Sequence, residues 1–490
     1  MKRIILFIFI ALFAANLQAQ PFSLDTTFNI NYTFNHVGIG GVVYGLNYEL
    51  NGKLMIYGSF WDGTSNVSDI LRVYEDGSLD NTWQFMGTGA STSYDFVKYL
   101  NNVYILLNIS WSSLAKFNNF GQGIDTAWLH NIDRGNICHD FFKPYIFSDG
   151  SMLVGTDSIC LSVSDKKRWF MRFLPDGNVD TNFIHSTNGL AYGIVKYSSD
   201  KLLVYGSGML GFTKYDNIPA IRLCRIDTLG NLDTTFKSIF TDGMPFPSYI
   251  QNDGKIIICQ AFRIENNPNV QGLVRLNVDG SLDSTFNNFN SVIYSNNGDV
   301  AGTVCPTTDG GYLIGGRFTQ YQGYTRHNIV KTDANGFIDT TYFNGMAIDS
   351  VYGFPVVSAA YVNSIVKGTN DTYYVMGNFL YYNGKKVNPI IRIYGLSVGI
   401  NEVEKEKGEV KVFPNPAKDY VTFSWELPLL KGNAELIITD INGKSITQKT
   451  IASKRGQWIW DTRTIKKGIY LYEIKTDNER LGNGKIVINN

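Results

Sequence analysis

The chain has 490 residues, with Lys+Arg and Asp+Glu balanced at 43 each, which excludes the basic surplus that nucleic-acid binding requires. That length exceeds what one ordinary core fills, so several domains or one large repeat array are expected. Aromatic residues at 14%, 48 glycines and only 18% charged residues suit an all-β chain with many tight turns.

Lys2 and Arg3 precede an unbroken apolar stretch from Ile4 to Ala15, the pattern of a secretion signal. Residues 1–19 are read as a signal peptide cleaved between Ala19 and Gln20. The stretch falls short of the roughly 20 apolar residues needed to span a bilayer, and no later segment reaches that length. No transmembrane segment is expected after cleavage.

From residue 25 one theme recurs. It reads Asp25-Thr26-Thr27-Phe28, Asp80-Asn81-Thr82-Trp83, Asp125-Thr126-Ala127-Trp128 and Asp180-Thr181-Asn182-Phe183. It continues as Asp233-Thr234-Thr235-Phe236, Asp283-Ser284-Thr285-Phe286 and Asp339-Thr340-Thr341-Tyr342. Successive aspartates lie 55, 45, 55, 53, 50 and 56 positions apart, a period suited to a four-stranded propeller blade. Each period holds a variable strand (191–197), a glycine-led strand (52–60, 201–209) and a second apolar strand (70–74, 222–226). An Asx-Gly pair follows, such as Asp76-Gly77 or Asp279-Gly280, predicting a hairpin whose two central residues both take positive φ. The fourth period carries Leu229-Gly230 there, and the second Asn119-Phe120-Gly121.

The first Asp-Thr-Thr-Phe has no blade before it, and the last such strand, 390–394, has no Asp-Thr-Thr-Phe after it. Residues 22–29 are therefore expected to complete the seventh blade as its outer strand, leaving no open edge. The predicted fold class is all-β: a seven-bladed β-propeller over 20–396, followed by a small immunoglobulin-like β-sandwich. The repeats resemble the delta-60 family of β-propeller repeats, which combine a DGKILVGG-like strand, an RL-x-x-DG turn and an LDxTF ending.

Asp25, Asp80, Asp125, Asp180, Asp233, Asp283 and Asp339 recur once per blade, so a per-blade structural task is assigned to them. The carboxylate is expected to accept amide hydrogens two or three residues on, with the aromatic shielding the turn. The acidic run Asn277–Asp283 lacks the spacing of a calcium loop, and no metal or other cofactor is expected. His36, His130, His139, His185 and His327 form no i, i+4 pair. In Cys138-His139-Asp140, consecutive strand residues point to opposite faces, so no dyad forms and no catalytic residue is assigned. Cys160, Cys224 and Cys259 sit in apolar strand runs and read as buried thiols.

Residues 397–409 are charged and read as a linker. Short strands then fill 410–490, with a Pro414-Asn415-Pro416 corner and an Asn442-Gly443 hairpin signal, the pattern of a β-sandwich. This region is similar to the type A C-terminal sorting domain of the type IX secretion system. The matching elements are Pro414, Asn415 and Pro416; Asp440, Asn442, Gly443 and Lys444; Gly468 and Tyr470; and Gly484 with Lys485. The resemblance implies passage through the periplasm, recognition by the type IX machinery, and secretion or attachment at the outer cell surface. For the propeller, contact with an unknown protein or glycan is expected. A secreted hydrolase or lyase acting on polysaccharide in the propeller channel is the alternative.

Overall fold

The computed structural model describes residues 20–489 apart from 61–69, 83–92, 119–141, 160–167, 266–271, 288–299, 350–359, 397–408 and scattered shorter positions. The signal peptide expected over 1–19, and Asp125, Asn442, Cys138, Cys160, His130 and His139, lie outside the described residues. The chain divides into two compact units, Met1–Val398 and Gly399–Asn490.

The first unit is a succession of three-stranded antiparallel sheets whose strands pair in chain order. The first sheet is Val42–Tyr48, Leu54–Ser59, Ile70–Val73, and the second Ser93–Tyr99, Asn102–Ile109, Trp111–Asn118. Next come Tyr145–Ile146, Met152–Ile159, Arg168–Phe173, then Ala191–Lys196, Lys201–Gly206, Leu223–Asp227. The fifth is Phe246–Ile250, Ile256–Gln260, Gly272–Leu276, and the sixth Val300–Pro306, Tyr312–Arg317, Ile329–Thr332. Tyr361–Lys367, Thr372–Asn378 and Ile390–Tyr394 follow. Middle strands are near-continuous apolar runs because both faces are packed; Thr372–Asn378 is buried at every position.

Each hydrophobic core is shared between consecutive sheets, the face-to-face stacking of propeller blades. Leu203 and Tyr205 pack with Ile256, Ile258 and Val274, and Ile257 and Leu273 pack with Ile314 and Val330. The last sheet shares its core with the first: Tyr374, Met376 and Ile390 pack with Val43, Leu46 and Ile56. Beside the last sheet, Leu24 bridges Ile393, and the Asp25 N–H donates to the Arg392 carbonyl at 2.8 Å.

Two local expectations are corrected. Four strands per period were expected, but the outer one shrinks to a single bridge, as at Val73–Leu79, Ile226–Leu232 and Leu276–Leu282. The following aspartate donates one backbone bond, then its side chain turns the chain away, so pairing stops there. The Asx-Gly turns also differ from the predicted type. Gly77, Gly177, Gly280 and Gly336 have positive φ, but the residue before each does not. The Gly77 N–H donates to the Tyr74 carbonyl and the Tyr74 N–H to the Ser78 carbonyl, a three-residue loop with the glycine in the left-handed position. Leu229-Gly230 makes the same loop, with the Asp227 carboxylate accepting from Leu229 and Asn231.

Turns with positive φ at both centres occur elsewhere, at Asp216-Asn217, Gln322-Gly323 and Asn383-Gly384. They tip short ribbons inserted between the middle and last strands of three sheets. Each ribbon is pinned by a buried tyrosine. Tyr215 donates to the Gly230 carbonyl at 2.7 Å and Tyr321 to that of Gly336 at 2.9 Å. Tyr382 donates to the Phe22 carbonyl, and Phe22 shares the positive φ of those glycines.

The second unit is a two-sheet sandwich. One sheet runs Glu409–Phe413, Tyr420–Glu426, Arg455–Asp461. The other runs Ser445–Ile451, Ala434–Asp440, Gly468–Lys475, Arg480–Ile488. Alternate residues face inward, so Val421, Phe423, Leu436, Ile438, Ile474 and Ile486 fill one core.

Candidate functional site

Among the repeated aspartates, Asp25, Asp80 and Asp283 are buried. At Asp283, one carboxylate oxygen accepts from the Thr285 N–H at 2.9 Å and its hydroxyl at 2.7 Å. The other oxygen receives Lys255 Nζ at 2.9 Å and Arg275 Nε at 2.7 Å. The Arg275 guanidinium lies 4.8 Å over the Phe286 ring, and its Nη1 reaches the Ala334 carbonyl in the turn of the next sheet at 2.8 Å. Asp80 repeats the arrangement with Thr82, Lys53 and Arg72, and Asp233 with Thr235, Lys201 and Arg225. Arg225 likewise reaches the Val278 carbonyl of the following turn at 2.6 Å.

Asp25 takes Arg392 Nε at 2.6 Å and the Tyr394 hydroxyl at 3.0 Å, and Arg392 Nη1 donates to the Glu75 carbonyl at 2.7 Å. One ion cluster thus touches the last sheet, the first sheet and the N-terminal segment. Burial alone would raise the carboxyls of Asp80, Asp233 and Asp283. Hydrogen bonds from their lysine, threonine and arginine partners outweigh it and hold all three well below the usual carboxylate range. Asp180 sits 3.8 Å from Arg172 Nε. Asp339 accepts the Thr341 N–H at 2.9 Å, while Lys331, at the arginine position of that repeat, turns to Asp309 at 2.8 Å.

The turn role was legible in the sequence; the cation partners were not assigned there. Their signal is constant spacing, since Arg72, Arg172, Arg225 and Arg275 each precede their aspartate by eight residues. These oxygens are engaged within their own sheet by backbone, hydroxyl and two cations, and they fix the arginine that reaches the turn of the next sheet.

The innermost strands carry a second recurrent feature. Register shifts fall between Val43 and Gly45, Ser93 and Asp95, Ala191 and Gly193, Pro247 and Tyr249, Ala301 and Thr303, and Val362 and Ser364. A bulge removes ladder pairing, and neighbouring sheets supply substitutes. Ser248 Oγ accepts the Val304 N–H at 2.8 Å, and Asn363 donates to the Val43 carbonyl at 3.3 Å. Cys224, Cys259 and Cys305 are buried free thiols. His185 Nδ1 lies 2.6 Å from an Asp216 carboxylate oxygen, a contact between a sheet-to-sheet connection and a ribbon tip. Among the described residues, no cluster of three metal-ligating side chains occurs.

In the second unit the tertiary structure gathers the motif residues at one end of the sandwich. Asn415 closes on the last strand, its amide donating to the Lys485 carbonyl at 2.9 Å and its oxygen accepting the Val487 N–H at 2.9 Å. One side chain thereby replaces a strand partner along an edge. Ala417 continues the pairing, bridging Ile488 in parallel. Gly443, at positive φ, closes the hairpin from Asp440, whose carboxylate accepts the Lys444 N–H at 3.0 Å. Asp440 pairs with Tyr470, Tyr470 with Ile486, and Gly468 with Ile488. Tyr470 donates to the Lys466 carbonyl at 2.7 Å. Gly484 lies under Tyr472, where a Cβ would fall 2.7 Å from the ring.

Family comparison agrees with both units. The model of the secretion system C-terminal sorting domain matches residues 411–489. That of the domain of unknown function DUF5122, a β-propeller, matches 50–82, 211–236, 251–286 and 307–342. No curated protein matches significantly. Among solved structures, the chain is similar to PorZ, a surface component of the type IX secretion system of Porphyromonas gingivalis. Identity is 12% and the TM-score 0.37, over 93% of this chain and 61% of that one. It is also similar to a GH74 xyloglucanase from Xanthomonas campestris at 10% identity and a TM-score of 0.43, over 81% and 60% of the two chains. The chain thus spans about three fifths of the length of each. Among the described residues, no helix is long and apolar enough to cross a membrane. The chain carries a DUF5122-type β-propeller and a type IX C-terminal sorting domain, which marks it for export to the medium or the cell surface.

Proposed function

We propose that the chain is a non-enzymatic cargo of type IX secretion: a seven-bladed propeller over 20–396, mature from Gln20, joined through 397–409 to a sorting sandwich over 410–490. The propeller presents its connections to a protein or glycan ligand outside the cell. The observation that carries this reading is an asymmetry between the two ends of the sheets. Antiparallel order puts the tight Asx-Gly loops at one end. The long excursions leave from the other, including 207–222, 318–328 and 379–389 between middle and last strands. Ligand contact concentrates on long connections carried by a rigid scaffold. The repeated aspartates support a scaffold role, since their oxygens are engaged within their own sheet and fix the arginine that reaches the next one.

The test has two arms. Purified mature chain is applied to a glycan array and to solubilised envelope proteins, beside a polysaccharide turnover panel. Turnover without any binding partner would replace the binding reading by the hydrolase or lyase alternative. In a bacterium with an intact type IX apparatus, the chain ending at residue 410 should stay in the periplasm. Its appearance outside the cell would remove the export role of the tail.

A further inference from the structure

Among the described residues of the second unit, the exposed large apolar side chains are Phe413, Tyr420, Ile441, Ile459, Ile469 and Leu471, with Ile441 at 70% and Ile459 at 63% exposure. They are not scattered. On the outer face of the three-stranded sheet, Phe413 and Ile459 flank Thr422 from both sides, and Tyr420 stands at the next outward-facing position along its strand. On the outer face of the four-stranded sheet, Ile469 and Leu471 pair with Val487 and Lys485, and Ile441 tips the adjoining hairpin. Both groups lie at the end where Asn415 clamps the last strand. There the Thr462 N–H, which donates to the Asp419 carbonyl at 2.9 Å, extends the three-stranded sheet by one more pairing, and Ala417 bridges Ile488 of the other sheet.

Lysines gather at this end as well. Lys418, Lys444, Lys466, Lys467 and Lys485 are all exposed at this end. Arg463 is engaged by Asp461, leaving Asp419 and Asp440 as the nearby acids. At the opposite end the strands finish in charged residues. Glu409, Glu426 and Arg455 stand side by side on one sheet, and Lys475 and Arg480 pair on the other. A soluble domain gains nothing by collecting exposed apolar side chains at one end unless something covers them.

We infer that the Pro-Asn-Pro end of the sandwich is the surface read during export, and that its occupant is a protein cleft with apolar walls and an acidic rim. A cleft is required because the apolar groups stand on both outer faces, separated by the sandwich thickness of about 10 Å between sheets plus side chains. A flat surface meets one face and leaves the other wet. The acidic rim complements the five lysines and sets orientation and encounter rate. The inference rests on the sorting role given above and adds the surface and the chemistry of the partner.

The test uses the full chain in a type IX-competent bacterium, with exported and periplasmic fractions quantified. Three sets of substitutions are made: Phe413→Ser with Ile459→Ser, Ile469→Ser with Leu471→Ser, and Lys444→Glu with Lys466→Glu and Lys467→Glu. Glu435→Ser with Lys475→Ser, at the opposite end, is the control. Each of the three sets should lower the exported fraction by about tenfold, as loss of interface anchors does. The control should match wild type, and all purified chains should melt together. Should a serine set melt early, the charge-reversed set, which removes no packed atom, decides in its place. Wild-type export by all three sets, or equal loss in the control, overturns the assignment of the surface. The chain ending at 410 separates the two readings: if it is retained while the surface variants are exported, only the surface is wrong. Tight binding of the purified chain to protein-free vesicles of anionic lipid, lost in the charge-reversed set, would give the surface to a membrane and overturn the protein occupant.

Discussion

Asp283→Ala probes the force that joins neighbouring sheets. The substitution removes a buried carboxylate that receives Arg275, Lys255 and two groups of Thr285. A lost turn acceptor alone would cost about 1–2 kcal/mol. Here Arg275 stays buried beside Phe286 without its counter-charge, and breaking a buried pair from one side costs about 3–5 kcal/mol. Unfolding entropy near 2.1 cal/mol/K per residue gives a cooperative unit of roughly 370 residues about 0.8 kcal/mol/K, so Tm should fall by about 4–6 °C.

Calorimetry at neutral pH reads the shift, and Asp339→Ala is the comparison. That aspartate accepts the Thr341 N–H while Lys331 pairs with Asp309, so its loss should cost only about 1 kcal/mol. The pH dependence has a definite sign. The folded carboxyl of Asp283 lies below its unfolded value, so its stabilisation is full above the unfolded pKa of about 3.9 and is lost as pH falls toward the folded one. The gap between wild type and Asp283→Asn should therefore hold steady between about pH 5 and 8 and close in stronger acid. Equal melting of Asp283→Ala and wild type, or equal loss in Asp339→Ala, would refute the clamp.

Further outcomes follow from the same geometry. Arg392→Met removes donors to Asp25 and Glu75, so amide exchange of the Asp25 segment should accelerate while that of Ile257 and Ile258 holds. Asn415→Ala should cost about 1–3 kcal/mol and expose the Val487 amide to exchange, because a side chain alone satisfies it there. Gly484→Ala drives a Cβ into the Tyr472 ring and should cost about 1–3 kcal/mol, read by thermal melting of the second unit. Burial pushes the thiols of Cys259 and Cys305 up to about 12, so both should resist a thiol reagent at pH 8 in the native chain and react on unfolding.

Repetition made the first unit readable. Seven copies of one ending, spaced alike, imply one supersecondary unit copied along the chain, and apolar runs between turns identify its strands. The tail was readable for another reason: its short motifs sit at turns and edges, where backbone geometry restricts the residue type. Gly443 at positive φ is one case and Gly484 beneath Tyr472 is another. The ribbons at Asp216-Asn217 and Gln322-Gly323 were missed because their strands are two residues long and show no alternation.

Local residue chemistry determined that strands, turns and a sorting tail would form, since each depends on neighbours within a few positions. Tertiary structure alone decided what the charged groups do. Whether Asp283 caps only its own turn or also neutralises Arg275 and Lys255 depends on partners up to 28 residues away. Likewise, the gathering of Pro414, Asp440, Gly468 and Lys485 at one end of a sandwich follows from strand order and register, which join segments that the chain keeps far apart.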